Sequence, residues 1–89
     1  MREFEIKPEL DKKLIKLSKK DKSRYEAVMS KINEVLCSGD IEHYKNLRYD
    51  MKESKRVHIG HFVLVFSYDK VKELVSFEDY DHHDNIYLK

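Results

Sequence analysis

The spacing of apolar positions changes character along this chain, from alternation to helical periodicity and back. Glu3-Phe4-Glu5-Ile6 alternates polar and apolar residues and predicts a short first strand. Pro8 suits the first turn of a helix, and Leu10, Leu14 and Leu17 recur at helical spacing through about Lys20. The chain restarts after Asp21. Ser23-Arg24-Tyr25-Glu26 fits a capping box, with Ser23 accepting from a backbone amide and Glu26 reaching back. Tyr25, Val28, Met29, Ile32, Val35 and Leu36 then form one apolar stripe, which Ser38-Gly39 ends. So short a connection predicts that the two helices lie antiparallel as a hairpin.

Strand patterning takes over from Tyr44. The stretch Tyr44 to Met51 leads toward a strand through Leu47 and Tyr49, and Arg56–Ile59 and Phe62–Tyr68 are the clearest strands of the chain. Asp69-Lys70 turns into a further strand, Lys72–Tyr80, carrying Leu74, Val75 and Phe77. If Gly60-His61 is a two-residue turn, Ile59 faces Phe62, His58 faces Val63, Val57 faces Leu64 and Arg56 faces Val65. Val57, Ile59, Phe62, Leu64 and Phe66 then share a core face, while Arg56 and His58 share the other. Val63 and Val65 make the second strand apolar on both faces, as a central strand would be. The expected fold is α+β: an N-terminal strand and a two-helix antiparallel hairpin packed on one face of a three- to four-stranded antiparallel sheet.

At 89 residues the chain is read as a single domain, 1–89, with a modest core. Hydrophobic residues at 40% and charged residues at 39% suit a heavily solvated globular protein. No apolar run is long enough for a transmembrane helix, and none behind Met1-Arg2-Glu3 resembles a signal peptide, so no membrane association is expected. Cys37 is alone, which makes a reducing cytoplasm the expected compartment. Its place at a helix end suggests a small buried or half-buried residue more than a catalytic thiol. The net charge is +1, but the distribution is uneven. Between Lys12 and Arg24 seven basic residues accompany a single acid, Asp21, and long-range attraction to phosphate depends on such bands.

The chemistry gathers on the face opposite the core. An arginine such as Arg56 holds a phosphate bidentately and stabilises added negative charge in a pentacoordinate transition state. The alternative is a cross-strand salt bridge with an acid of the following strand. His58 suits proton transfer near neutrality, with a plain exposed strand histidine as the alternative; Lys52 and Lys55 are point charges suited to phosphate contact or to a solvated strand edge, and Arg48 is a further RNA-binding candidate. Near the C-terminus, Asp81-His82-His83-Asp84 has the look of a metal site. Adjacent histidines in an extended segment point to opposite sides, however, and the regularly spaced ligands of a structural zinc site are missing. No metal and no cofactor are expected. His83, four residues before Tyr87, is the better catalytic candidate of the two histidines, and Tyr87 suits base stacking or proton donation.

Length, element order, the Tyr44-Lys45-Asn46-Leu47 lead-in, the hairpin from Arg56 to Phe66 and the closing segment from Asp79 to Tyr87 together resemble the RelE/ParE toxin superfamily, and within it the RelE-type messenger-RNA endonucleases. The resemblance implies basic residues on the open sheet face with a His or Tyr near the C-terminus. Arg56 matches the arginine that opens the hairpin strand, although Lys55 replaces the usual aromatic before it. His82, His83 and Tyr87 fall where relatives carry Arg or His followed by Tyr. Val63 departs from the pattern, standing where an arginine is common. The activity implied is ribosome-associated cleavage of messenger RNA by attack of its own 2′-hydroxyl. The alternative is a ParE-like binder of a topoisomerase or a catalytically weakened member. The partners implied are a RelB-like antitoxin, messenger RNA and the ribosome. The basic band invites an acidic antitoxin chain, and charge reversal at Lys13, Lys16 and Lys20 together is expected to weaken that complex about tenfold.

Overall fold

The computed structural model describes residues 2–41, 44 and 54–87, with Tyr87 described by its backbone alone. The elements follow the order β1 (Glu3–Ile6), α1 (Pro8–Lys20), α2 (Lys22–Cys37), β2 (Ser54–Ile59), β3 (Phe62–Asp69), β4 (Leu74–His82) and α3 (His83–Tyr87). The α+β architecture expected from the sequence is the one observed. The expected lead-in strand from Tyr44 to Met51 lies outside the described residues except for Tyr44, whose ring meets Phe66 edge-on at 5.5 Å.

A single residue, Asp21, both ends α1 and starts α2. Its amide donates to Leu17 O at 2.8 Å, and its carboxylate Oδ1 accepts from Arg24 N at 3.1 Å. The capping box on Ser23 and Glu26 therefore does not form. A carboxylate is the stronger acceptor for an orphan helix amide, so Asp21 takes the cap and α2 opens earlier, at Lys22. Cys37, expected to be at least half-buried, is exposed, because the apolar stripe of α2 turns inward at Val35 and Leu36 and leaves the last position on the solvent side.

The sheet has the order β1-β4-β3-β2. β2, β3 and β4 form the expected antiparallel meander, and β1 adds to β4 in parallel, from Glu3 opposite Leu74 to Ile6 opposite Phe77. The turn at Gly60-His61 has the predicted register, with Ile59 opposite Phe62, His58 opposite Val63, Val57 opposite Leu64 and Arg56 opposite Val65. Gly60 makes this turn possible with φ at +64°, the left-handed value that a glycine-first two-residue hairpin turn requires. It fixes which hairpin side chains share a face.

Strict alternation would send Phe77 and Tyr80 to opposite faces. A register shift at Val65/Phe66 absorbs Glu78, so that Phe66 lies opposite Phe77 while Leu64 lies opposite Tyr80. Both rings thereby join the core with Leu10, Leu14, Val28, Ile32, Val35, Leu36, Leu64, Phe66 and Val75. The same bulge turns Asp79 and Asp81 to the other face, opposite Val65 and Val63. Because β1 stops at Ile6, β4 beyond Phe77 has no strand on that side among the described residues. Its edge groups are satisfied locally: Tyr80 N by Asp79 Oδ1 at 2.8 Å, His82 N by Asp81 Oδ1 at 2.7 Å, and Tyr80 O by Lys13 Nζ at 3.3 Å.

Candidate active site

The face away from α1 and α2 carries two rows of side chains across the strands. One row runs His58, Val63, Asp81, and the next runs Arg56, Val65, Asp79. Between them Ile86 of α3 seats on Val63 and Val65, forming a small apolar cluster in which all three are at least nine-tenths buried. The face predicted to be uncovered is thus partly roofed. The expected extended run through Asp81–Asp84 ends at His82, and the chain turns there into α3 because Ile86 has an apolar seat to bury against. Asn85 Nδ2 donates to Asp81 Oδ1 at 3.0 Å and His83 N donates to His61 O at 2.9 Å, which tie α3 to the sheet and to the hairpin turn.

That docking gathers four histidines around the hairpin tip in two pairs. The rings of His58 and His83 stack with centroids 5.8 Å apart, and those of His61 and His82 stack at 6.4 Å. His58 and His83 belong to the Arg56 face. His82 lies opposite Phe62 and meets that ring edge-on at 5.5 Å, so it belongs to the other side. A hollow of about 490 Å³ over the tip is lined by His58, Gly60, His61, His82, His83 and Asp84. A larger hollow of about 680 Å³ at the opposite end of the sheet holds Arg2, Lys72, Glu3 and Glu73 among its walls, cations and carboxylates in equal number. Proton-transfer groups are concentrated at the tip. Among the described residues, no group of three or more His, Cys, Asp and Glu side chains is gathered closely enough to share a metal ion.

Partial burial of the His58 imidazole, the Arg56 guanidinium and neighbouring His83 together hold the His58 pKa below the usual histidine value. At neutral pH this ring is therefore a proton acceptor. Across the sheet, two carboxylates would give the face an acidic half, but Lys13 of α1 reaches round the free edge of β4 to both. Its Nζ lies 2.6 Å from Asp79 Oδ1 and 3.2 Å from Asp81 Oδ2. Burial works against ionising Asp81, yet Asn85, the His82 amide and Lys13 outweigh it and hold its pKa below the ordinary carboxylate value. Lys13, expected to belong to a solvated basic band, is instead held by these two acids because the short β1 leaves them within its reach.

The structure therefore brings together Arg56, His58 and His83, and sets His82 apart with His61. Lys55, a candidate phosphate contact, lies on the face of β2 opposite Arg56 by strand alternation and donates to Tyr44 O at 3.4 Å. Arg48 and Lys52 lie outside the described residues, as does the Tyr87 side chain. The sequence pattern marks His61 only as a turn residue. Its histidine-rich counterpart later in the sequence was the available signal, but the pairing needs α3 to fold back. Val63, the departure from the expected arginine, is the fully buried floor on which Ile86 rests.

No protein-family model matches the chain. A protein of Methanocaldococcus jannaschii named "Putative toxin RelE4" is 51% identical over 90 residues, covering 100% of this chain and 94% of that protein. An uncharacterized protein of Methanosarcina mazei is 50% identical over 85 residues, covering 94% of this chain and 96% of its own length. The crystal structure of YafQ from E. coli strain BL21(DE3) superposes with a TM-score of 0.61 at 20% identity, covering 98% of this chain and 99% of that one. Half the residues shared along essentially the whole length, together with this fold, establish that the chain belongs to the RelE family of toxins, the toxin half of toxin–antitoxin systems.

Proposed function

We propose that this protein is an endoribonuclease that cuts messenger RNA, on the ribosome, and so arrests translation. The observation that carries this reading is the His58–His83 stack at 5.8 Å on the Arg56 face of a rigid hairpin. Arg56 holds the scissile phosphate and stabilises the charge that develops on the phosphorane. His58, kept neutral by its surroundings, takes the proton of the attacking 2′-hydroxyl. His83 returns a proton to the 5′-oxygen as it leaves, with Tyr87 four residues on in the same helix as the second candidate donor. The products are a 2′,3′-cyclic phosphate and a free 5′-hydroxyl. No metal is required, because the nucleophile belongs to the substrate. His82 is assigned to the second pair and not to this proton relay.

An acidic, partly helical RelB-like antitoxin is the inhibitory partner in this reading, and the cytoplasm the compartment. With Lys13 committed to Asp79 and Asp81, the free part of the basic band for such a partner centres on Lys16 and Lys20. The test is to add purified protein to translating ribosomes and map the ends of the message. Cut message with 2′,3′-cyclic ends is expected, and intact message at stoichiometric protein would end the proposal. Val63 favours one competing reading, a non-enzymatic binder of a topoisomerase, because the floor of the site is apolar where an arginine was expected. Growth arrest accompanied by DNA damage with stable message would select it.

A further inference from the structure

The hollow over the hairpin tip does not end at the histidines. Gly60 and His61 also line a second hollow of about 380 Å³ on the helix side, walled by Asp21, Arg24, Phe62 and Tyr80. Its back is a stack of planar groups. The Tyr80 ring lies 5.1 Å from the Phe62 ring at an interplanar angle of 17°, and the Arg24 guanidinium sits 4.4 Å from the Phe62 centroid. The Arg24 side chain is 45% exposed, so this aromatic-backed cation is presented to solvent, with a carboxylate oxygen of Asp21 3.8 Å from its Nε. The Tyr80 hydroxyl is buried and has no hydrogen-bond partner among the described residues. Between the two hollows, Gly60 has open space where a side chain would stand, so a polymer backbone can pass close to the tip.

We propose that this shelf is a second RNA subsite, which takes a nucleotide beyond the two that flank the scissile bond, with its base stacked on the Arg24 guanidinium. It rests on the RNA-cleaving reading above. A strand bound with its phosphate between Arg56 and the His58–His83 pair runs over Gly60 and His61 and delivers a base from beyond the flanking pair to the shelf. Guanidinium planes and aromatic rings are the surfaces on which unpaired bases stack, whatever their sequence. The shelf thus selects single strands over duplexes.

The measurement is the affinity of full-length protein for single-stranded RNA whose 2′-hydroxyls are methylated, so that it binds but is not cut. A strand of about six nucleotides spans both hollows, whereas a dinucleotide fills only the histidine cleft. Arg24→Gln is expected to weaken the longer strand about tenfold and leave the dinucleotide unchanged. Arg24→Lys, which keeps the charge without the plane, should lose most of the same affinity. Unchanged binding of the longer strand by Arg24→Gln overturns the subsite, as does full rescue by lysine or an equal loss for the dinucleotide. An Arg24 effect confined to an acidic peptide also overturns it, by assigning the shelf to a protein partner. Arg24-dependent binding in a protein that leaves unmodified RNA intact keeps the subsite and removes the nuclease reading. Cleavage with Arg24-independent binding removes the subsite alone.

Discussion

The two faces of the same four strands are built to opposite specifications. On one face Leu64, Phe66, Val75, Phe77 and Tyr80 pack with residues of α1 and α2 into a continuous core. On the other, Val63, Val65 and Ile86 are the cluster buried together among the described residues, and around them stand Arg56, His58, Asp79 and Asp81. The first face holds the molecule together, and the second uses a small apolar seat to hold one short helix over charged groups. Stability and chemistry are thereby separated by the thickness of a sheet. Substitutions on the two faces should fail in different ways.

The largest expected effect is on the core face. Phe66→Ala removes a fully buried ring and should cost about 3–5 kcal/mol, enough to unfold much of a small domain in a denaturant titration. A loss under about 1 kcal/mol would mean that the core collapses around the gap and that the contrast between faces is overstated. Next comes His58→Ala, which on the proposed nuclease reading should lower RNA cleavage by about a hundredfold or more while the melting temperature hardly moves. Its pH signature follows from the depressed pKa. Cleavage by wild-type protein should hold as pH falls through about 6.5 and decline only below it, when the folded-state imidazole takes its proton. Because the unfolded chain binds that proton first, the His58 contribution to stability is complete above about pH 6.5 and declines as pH falls toward the folded value.

Ile86→Ala tests the seat. It should free α3 and, on the nuclease reading, cut cleavage strongly, with a smaller loss of global stability than Phe66→Ala, because among the described residues three buried side chains share that cluster. Amide exchange that speeds up in α3 and not in β3 is the expected readout. Equal acceleration in both would place α3 inside the main cooperative unit. The smallest effect belongs to Lys13→Met, about 1 kcal/mol, since the ion pairs it removes are half-exposed. Asp81 has a lowered folded-state pKa, so its stabilisation is present above the ordinary carboxylate value and is lost as pH falls through the folded one. The gap between wild-type protein and Lys13→Met should therefore close below about pH 3.9.

Charge reversal at Lys13, Lys16 and Lys20 together would confound antitoxin binding with the loss of the β4 edge clasp. Reversal at Lys16 and Lys20 alone keeps that clasp, and an unchanged dissociation constant for this pair would mark the helical band as plain solvated surface.

Much of this molecule was legible in its sequence because short-range rules governed it. Helical spacing placed Leu10, Leu14 and the α2 stripe, and a glycine-first turn at Gly60-His61 set the hairpin register, hence the shared face of Arg56 and His58. These depend on neighbours within a few residues, where backbone geometry leaves few choices. Other features were decided by competition between near neighbours, by the pleat, or by partners distant in sequence. Asp21 displaced the Ser23 cap through a competition between two acceptors for the helix amides. The bulge at Glu78 exists because Phe77 and Tyr80 both have a core to enter. Lys13 meets Asp79 and Asp81 because β1 is too short to cover that edge. Lys55 is separated from Arg56 by the pleat, and the pairing of His58 with His83 waits on Ile86 finding Val63 and Val65. Local pattern chose the elements and the hairpin face. Burial of apolar surface between elements far apart in the chain decided which titratable groups meet.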